Sequence, residues 1–378
     1  MNKLIDIQYK VHDFIQKSLH TDPGSRGDLE SEFSQLALEL FEVQYSSVMP
    51  YRLCCNALGK RPNNIQSWKD IPAVPSSSFK DMEFSSIPEA ERSIVFLSSG
   101  TTAKQQSRHY HNNQSIQLYE MSVVTWFNKA VIQQYRFLDE PDYVFIFLTP
   151  AITEAPNSSL VYMFDCLAKK FAQTENVFVG KISDQGWIID FDKWLITTRS
   201  AIEASRRIFC FGTALSWVQL ISWLERQNIK FSFHPQSLIF ETGGYKGRIR
   251  EIPKSELYKK ISKSTALGLN RIISEYGMCE LSSQAYDVHC NYTRGASVSS
   301  ITDREFLFPP WARTVILDPE TNSEVGYGDK GMIKVVDLAN VWSVAAILTE
   351  DIGLKQNLGF KLIGRAGTQQ KGCSLLVM

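Results

Sequence analysis

Ser98-Ser99-Gly100-Thr101-Thr102-Ala103-Lys104 gathers four hydroxyls, a glycine and a cation into one short stretch. Gly100 lets the backbone turn tightly and approach an anion closely. Hydroxyls and backbone N–H groups in such a turn converge on phosphate oxygens, and Lys104 adds positive charge. The preceding run, Ser93-Ile94-Val95-Phe96-Leu97, is apolar and partly β-branched, which predicts a buried strand leading into the loop. Taken alone, the same residues also describe an ordinary Ser/Thr-rich surface turn.

Other polar stretches follow apolar runs in the same way. Gly212-Thr213-Ala214 follows Arg207-Ile208-Phe209-Cys210-Phe211, and Glu241-Thr242-Gly243-Gly244-Tyr245-Lys246-Gly247 follows Ser237-Leu238-Ile239-Phe240. Ile272-Ile273-Ser274 leads into Glu275-Tyr276-Gly277-Met278-Cys279-Glu280, Ala346-Ile347-Leu348 into Thr349-Glu350-Asp351, and Leu362-Ile363 into Gly364-Arg365. In an open α/β sheet, ligands bind at the carboxyl ends of the strands, so these residues are expected to form loops around one site. Three glycines permit close approach in the 241–247 stretch, where Lys246 supplies charge.

The elements that must position these loops alternate. Short continuous apolar runs, among them Tyr143-Val144-Phe145-Ile146-Phe147-Leu148, predict strands covered on both faces. Helical spacing recurs between them over 115–135, 157–173, 191–204 and 214–227, with Asn157-Ser158-Ser159-Leu160 read as a cap. That alternation predicts an α/β fold with crossover helices and mixed sheets. Helices are also expected over about 3–20 and 28–48, the second capped by Asp28. Ile71-Pro72-Ala73-Val74-Pro75 through Lys80 reads as an extended connector. The expected organisation is a helical N-terminal segment over 1–90 packed on an α/β core over 91–304. A smaller β-rich lobe and tail follow over 305–378.

Composition excludes several classes. Lys+Arg and Asp+Glu number 40 each, so no global field favours nucleic acid or an anionic membrane. No apolar run is long enough to span a bilayer, and the N-terminus has no signal-peptide core, so a cytoplasmic protein is expected. Seven cysteines spread through the chain suit reduced thiols better than a disulfide framework. Cys54, Cys55, Cys166 and Cys210 are expected to be buried and inert. Cys279, His289 and Cys290 lie close together, but their spacing matches no common zinc finger. His109 and His111 alternate as on a strand and are either exposed or in contact with a substrate carboxylate. Trp187, Trp217 and Trp311 read as core or pocket wall.

The order of these motifs resembles the adenylate-forming superfamily, which couples ATP to a carboxylic acid through an acyl-adenylate. Ser98 to Thr102 is similar to its phosphate loop, with Ala103 in place of the usual second glycine. Tyr276-Gly277-Met278-Cys279-Glu280 is similar to its Tyr-Gly-x-Thr-Glu motif, with Cys279 where threonine is usual. The resemblance implies that Tyr276 stacks on adenine, that Glu280 holds Mg²⁺, and that Asp351 and Arg365 reach the ribose. A closer resemblance, covering nearly the whole chain, is to the acyl-protein synthetases of bacterial bioluminescence fatty-acid reductase. It rests on Ile71 to Pro75 with Phe79-Lys80, Ser98 to Thr102, Phe211-Gly212-Thr213 and Thr242 to Gly247. Pro309-Pro310-Trp311-Ala312-Arg313, Leu317-Asp318-Pro319-Glu320 and Lys371-Gly372-Cys373-Ser374-Leu375 complete it.

That resemblance implies ATP and Mg²⁺ as cofactors, a fatty acid as substrate, and Cys373 as the carrier of an acyl thioester. It also implies a partner, a fatty-acyl reductase or another acyl acceptor. Ser98, Ser99, Gly100, Thr101, Thr102, Lys104, Gly243, Gly244, Tyr276, Gly277, Asp351 and Arg365 are the expected nucleotide contacts. Cys373, Lys246 and Glu280 are the expected catalytic residues. Full-sized adenylating ligases continue past the hinge into a mobile lid bearing a catalytic lysine. The sequence ends at Met378, so a fold without that large lid is expected, with Lys246 or a reorganised tail neutralising charge. Lys371 and Arg365 are expected to raise the thiolate fraction of Cys373. Two alternatives stay open: a ligase charging coenzyme A or a carrier protein, and a non-catalytic adenylate-binding subunit.

Overall fold

A computed structural model describes residues 2–19, 29–98, 106–138, 142–171, 175–184, 186–243, 252–287 and 304–366. The chain opens with helices α1 (Asn2–Ser18), α2 (Glu30–Ser47) and α3 (Met49–Ala57), then β1 (Val74–Pro75). The hairpin strands β2 (Ile94–Leu97) and β3 (Arg108–His111) follow, then α4 (Asn113–Phe127), α5 (Gln133–Tyr135), β4 (Tyr143–Phe147) and α6 (Ser159–Phe171). Next come β5 (Asn176–Phe178), β6 (Gly180–Ser183), β7 (Gly186–Ile189), α7 (Phe191–Glu203), β8 (Arg207–Thr213), α8 (Ala214–Arg226) and β9 (Leu238–Thr242). The remainder is α9 (Lys254–Thr265), β10 (Ile272–Tyr276), β11 (Ala285–Tyr286), β12 (Ala312–Leu317), β13 (Lys330–Asp337), β14 (Ala346–Lys355) and β15 (Phe360–Arg365).

The central sheet has the order β11-β10-β9-β8-β4-β5, parallel except for the β10–β11 pair. Every residue of β4, β8 and β9 is buried, because helices cover both faces as the continuous apolar runs require. Side chains alternate between the two cores. Phe145, Phe147, Phe209, Phe211 and Phe240 pack under α4 and α6, whereas Val144, Ile146, Ile208, Cys210 and Ile239 pack under α7, α8 and α9. The first core runs on without a break into the N-terminal helices and the second sheet. In that second sheet β1 lies parallel to β14, and β12, β13 and β15 are antiparallel to their neighbours.

Helix α2 buries Phe33, Leu36, Ala37, Leu40, Phe41 and Gln44, a stripe at helical spacing. Gln44 is inside because its amide serves both strands of a turn: Nε2 donates to Asn340 O at 2.7 Å and Oε1 accepts from Ala345 N at 2.9 Å. Asn112 and Ser115 cap α4 reciprocally, and Asp190 and Thr213 cap α7 and α8. Ser158 Oγ accepts from Val161 N at 3.3 Å, the expected capping role at α6. Asp28 lies outside the described residues; α2 starts at Glu30 with no side-chain cap at Leu29.

Several local expectations change. The run before the phosphate-type loop is not a core strand. It forms a two-stranded hairpin with β3, and only Phe96 of β2 is buried. The 71–80 connector joins the second sheet through Val74 and Pro75, paired with Ile347 and Leu348, then coils into a 3₁₀ turn over Ser76–Lys80. The helix expected over 115–135 breaks into α4, a π turn over Asn128–Ile132, and α5. Cys54 is half-buried, while Cys55, Cys166 and Cys210 are buried. Trp217 and Trp311 are core residues, their indole nitrogens donating to Phe240 O and Ser122 Oγ. Trp187, on β7, is half-buried.

Candidate active site

The β2–β3 hairpin flanks the 99–105 stretch in sequence. Its last ladder pair is Leu97 with Arg108, and beyond it Ser98 and Ser107 close the neck. Ser98 N donates to Ser107 O at 3.1 Å, Ser107 N donates to Ser98 Oγ at 2.8 Å, and Gln106 Nε2 donates to Ser98 O at 2.9 Å. Ser98 is thus spent on holding the neck. Ser99, Gly100, Thr101, Thr102, Ala103 and Lys104 lie outside the described residues, as do Gly244, Lys246, Lys371 and Cys373.

From that neck the Ser107 hydroxyl hydrogen-bonds to the carboxylate of Glu280. The turn carrying Glu280 is pinned from two sides. His109 Nδ1 donates to Cys279 O at 2.7 Å, and Asn340 Nδ2 donates to Glu280 O at 2.8 Å. Burial raises the Glu280 carboxyl, with the Ser107 hydroxyl opposing and the charge of Glu350 reinforcing the rise. Its partners, the Ser107 hydroxyl, a backbone N–H and the Cys279 side chain, carry no positive charge, and a second acid lies close by. Such a donor fits Mg²⁺, which takes one or two protein carboxylates and completes its shell with substrate phosphates. Among the described residues no cluster of three His, Cys, Asp or Glu forms a metal cage. His289 and Cys290 lie outside the described residues.

Tyr276, Asp351 and Arg365 meet where the two sheets adjoin. Tyr276 and Asp351 were expected in loops; both lie inside strands, β10 and β14, and Arg365 ends β15. The pairing of Asp351 with Arg365 across β14–β15 explains why: one ladder sets both side chains at the same level. Tyr276 Oη donates to Asp351 Oδ2 at 2.9 Å, and Arg365 Nε lies 3.6 Å from Asp351 Oδ1. Burial raises the Asp351 carboxyl, opposed by the Tyr276 hydroxyl and Arg365. The Tyr276 ring packs near-perpendicular to Phe360 and Phe308, with centroids at 5.3 and 6.2 Å.

Gly243 and Gly277 serve backbone needs. Gly243 has φ +68°, a left-handed conformation that ends β9 in a turn. A Cβ on Gly277 would lie 2.3 Å from Glu275 Oε1.

Two acids beside this site had not been singled out. Glu275 accepts from the Thr242 hydroxyl, and burial pushes its carboxyl up to about 7. Glu241, on the opposite face of the sheet, accepts from Tyr258 Oη and Ser274 Oγ, each at 2.9 Å, and pairs with Lys254 at 3.2 Å. The signal was present: each acid follows an apolar-led run, Ile239-Phe240-Glu241 and Ile273-Ser274-Glu275, one residue before the end of its strand. His109 and His111 are both buried, so exposure is excluded for both. Cys279 is buried with its thiol pushed well up, which makes it a poor nucleophile.

The family model for acyl-protein synthetase, LuxE, matches residues 12–378. A long-chain-fatty-acid–luciferin-component ligase of Aliivibrio fischeri is 22% identical over 355 residues, covering 90% of this chain and 86% of that protein. The protein of the same name from Vibrio harveyi is 20% identical over 357 residues, with the same coverage. Among solved structures, 2-hydroxyisobutyryl-CoA ligase in an open conformation, bound to 2-HIB-AMP and CoA, aligns with a TM-score of 0.59 at 12% identity. The match covers 88% of this chain and 74% of that one. At that identity the likeness shows a shared fold. Among the described residues no helix is long and apolar enough to cross a membrane.

Proposed function

The chain belongs to the LuxE acyl-protein synthetase family of ATP-dependent ligases, and from that premise we propose that it converts a fatty acid to an acyl-adenylate and hands the acyl group to a thiol. A carboxylate alone is a poor acyl donor because its leaving oxide is strongly basic. In the first step a carboxylate oxygen attacks the α-phosphorus of ATP, the bond to the β-phosphate breaks, and pyrophosphate leaves with the electron pair. In the second a thiolate attacks the acyl carbon, the bond to the phosphate oxygen breaks, and AMP leaves.

The observation that supports this reading best is that the Ser98–Ser107 neck reaches Glu280, and that Glu280 feels the charge of Glu350, the neighbour of Asp351 in the Tyr276–Asp351–Arg365 cluster. Phosphate-binding, cation-binding and ribose-binding chemistries require that proximity. Glu280 would hold Mg²⁺, which supplies charge neutralisation at the phosphates. Asp351 accepts from ribose hydroxyls, with Arg365 at its outer edge. Thr101, Thr102, Lys104 and Lys246 are the residues we assign to the phosphates, and Tyr276 and Gly243-Gly244 to the base.

We assign the acceptor thiol to Cys373, with a partner fatty-acyl reductase as the next recipient. Replacing Cys373 with serine tests this. Acid-dependent exchange of pyrophosphate into ATP should survive, while thioester-linked labelled acyl-protein should disappear. Undiminished acyl labelling in Cys373→Ser would move the acceptor role to coenzyme A, a carrier protein or another thiol.

A further inference from the structure

We infer that Tyr276 and Thr349 act as positioning residues that fix the Asp351 carboxylate for ribose recognition, so that the Tyr276 hydroxyl sets ribose selectivity apart from anything its ring does for the base. This rests on the nucleotide-site reading above.

Two hydrogen bonds hold Asp351, one at its carboxylate and one at its backbone. Tyr276 Oη donates to Asp351 Oδ2 at 2.9 Å. Asp351 N donates to Thr349 Oγ1 at 3.2 Å. The Thr349 hydroxyl is itself buried. The Tyr276 hydroxyl has one proton and spends it on the carboxylate, while Thr349 holds the backbone from which that carboxylate projects.

The consequence falls on Asp351. With Oδ2 held by the phenol, the carboxylate is restrained about its side-chain torsions, and Oδ1 is left on the Arg365 side. Arg365 cannot do this work alone. Its side chain is 71% exposed, and its Nε lies 3.6 Å from Oδ1, too far for a strong hydrogen bond. A carboxylate that must accept ribose hydroxyl protons gains from being oriented before the ligand arrives, because the ordering cost is then already met. Phe308 and Phe360 hold the Tyr276 ring from the side, so loss of the hydroxyl alone leaves the ring seated.

The experiment compares ATP, 2′-deoxy-ATP and 3′-deoxy-ATP on the wild type, Tyr276→Phe, Thr349→Val and Thr349→Ser, by acid-dependent pyrophosphate exchange. The wild type is expected to prefer ATP. Tyr276→Phe should cut that preference about tenfold through KM, the worth of a hydrogen bond to a charged group, with the deoxy nucleotides little changed. Thr349→Val should follow it in part, and Thr349→Ser, which keeps the hydroxyl, should restore the preference. An equal loss for ATP and both deoxy nucleotides in Tyr276→Phe would overturn the inference. If the wild type exchanges pyrophosphate with no acid, the activity reading fails. The inference is then judged by calorimetric binding of the same nucleotides, where the same selective loss is expected. Absence of nucleotide binding by the wild type would sink both.

Discussion

His109 Nδ1 donates to the carbonyl oxygen of Cys279 at 2.7 Å, tying the β2–β3 hairpin to the turn that carries Glu280. A carbonyl only accepts, so Nδ1 carries a proton, and burial keeps the ring from taking a second one at neutral pH. Burial holds His109 down at about 4, and pushes His111 well below its ordinary value. Their rings are 4.4 Å apart, and protonation of either would place an uncompensated charge in the core.

The sign of the resulting pH dependence follows. Between about 4 and 6.5 the unfolded chain binds protons that the folded His109 refuses. Stability is therefore full above 6.5 and is lost as pH falls toward 4. His109→Gln keeps a donor for Cys279 O and removes that titration. Urea unfolding from pH 7.5 to 5 should show an acid-side loss smaller in the variant, by up to about 2 kcal/mol. Parallel pH profiles for the two proteins would contradict the assignment.

Glu275 runs the opposite way. Its carboxyl is raised to about 7 by burial, so the folded state holds a proton that the unfolded chain releases above its ordinary value of 4.5. The stability this contributes is full below 4.5 and is lost as pH rises through 7. Glu275→Gln should therefore leave the protein more stable than the wild type at pH 8, by up to about 3 kcal/mol. The gain should vanish at pH 4.5. Chemical denaturation at the two pH values checks both halves.

Gly277→Ala should be costly at a site residue with an ordinary φ. The added Cβ would lie 2.3 Å from Glu275 Oε1, and Glu275 has little room to move because Thr242 holds it in the core. Destabilisation of about 1–3 kcal/mol is expected from such crowding, read by urea unfolding. In a Glu275→Ala background the same substitution should cost much less, since the clashing atoms are gone.

Much of this arrangement could be read from the sequence, for local reasons. Tyr143 to Phe147, Arg207 to Phe211 and Leu238 to Phe240 are apolar without alternation because helices cover both faces, and the strands lie where those runs fall. Capping at Ser158 was equally local. Other features depend on partners far along the chain. Asp351 looks like a loop residue until β15 pairs alongside it. Val74 and Pro75 become a strand only because Ile347 and Leu348 offer an edge. Burial of His109 and Glu275 follows from the first core, built from segments far apart in the chain, closing around them, which no local pattern encodes.

Glu280→Gln separates catalysis from stability. Burial already disfavours the charged carboxylate, so the amide should not destabilise the fold at neutral pH. Pyrophosphate exchange should nevertheless fall by about 100-fold, with a higher Mg²⁺ concentration needed for half-maximal rate. An unchanged Mg²⁺ requirement would remove Glu280 from the cation site.

The most direct test of the account is acid-dependent exchange of labelled pyrophosphate into ATP by the purified wild-type chain, across saturated fatty acids of increasing length. The account predicts exchange that requires Mg²⁺, requires an acid, and rises to a maximum at one range of chain length. ATP binding with no exchange for any acid in the series would contradict it.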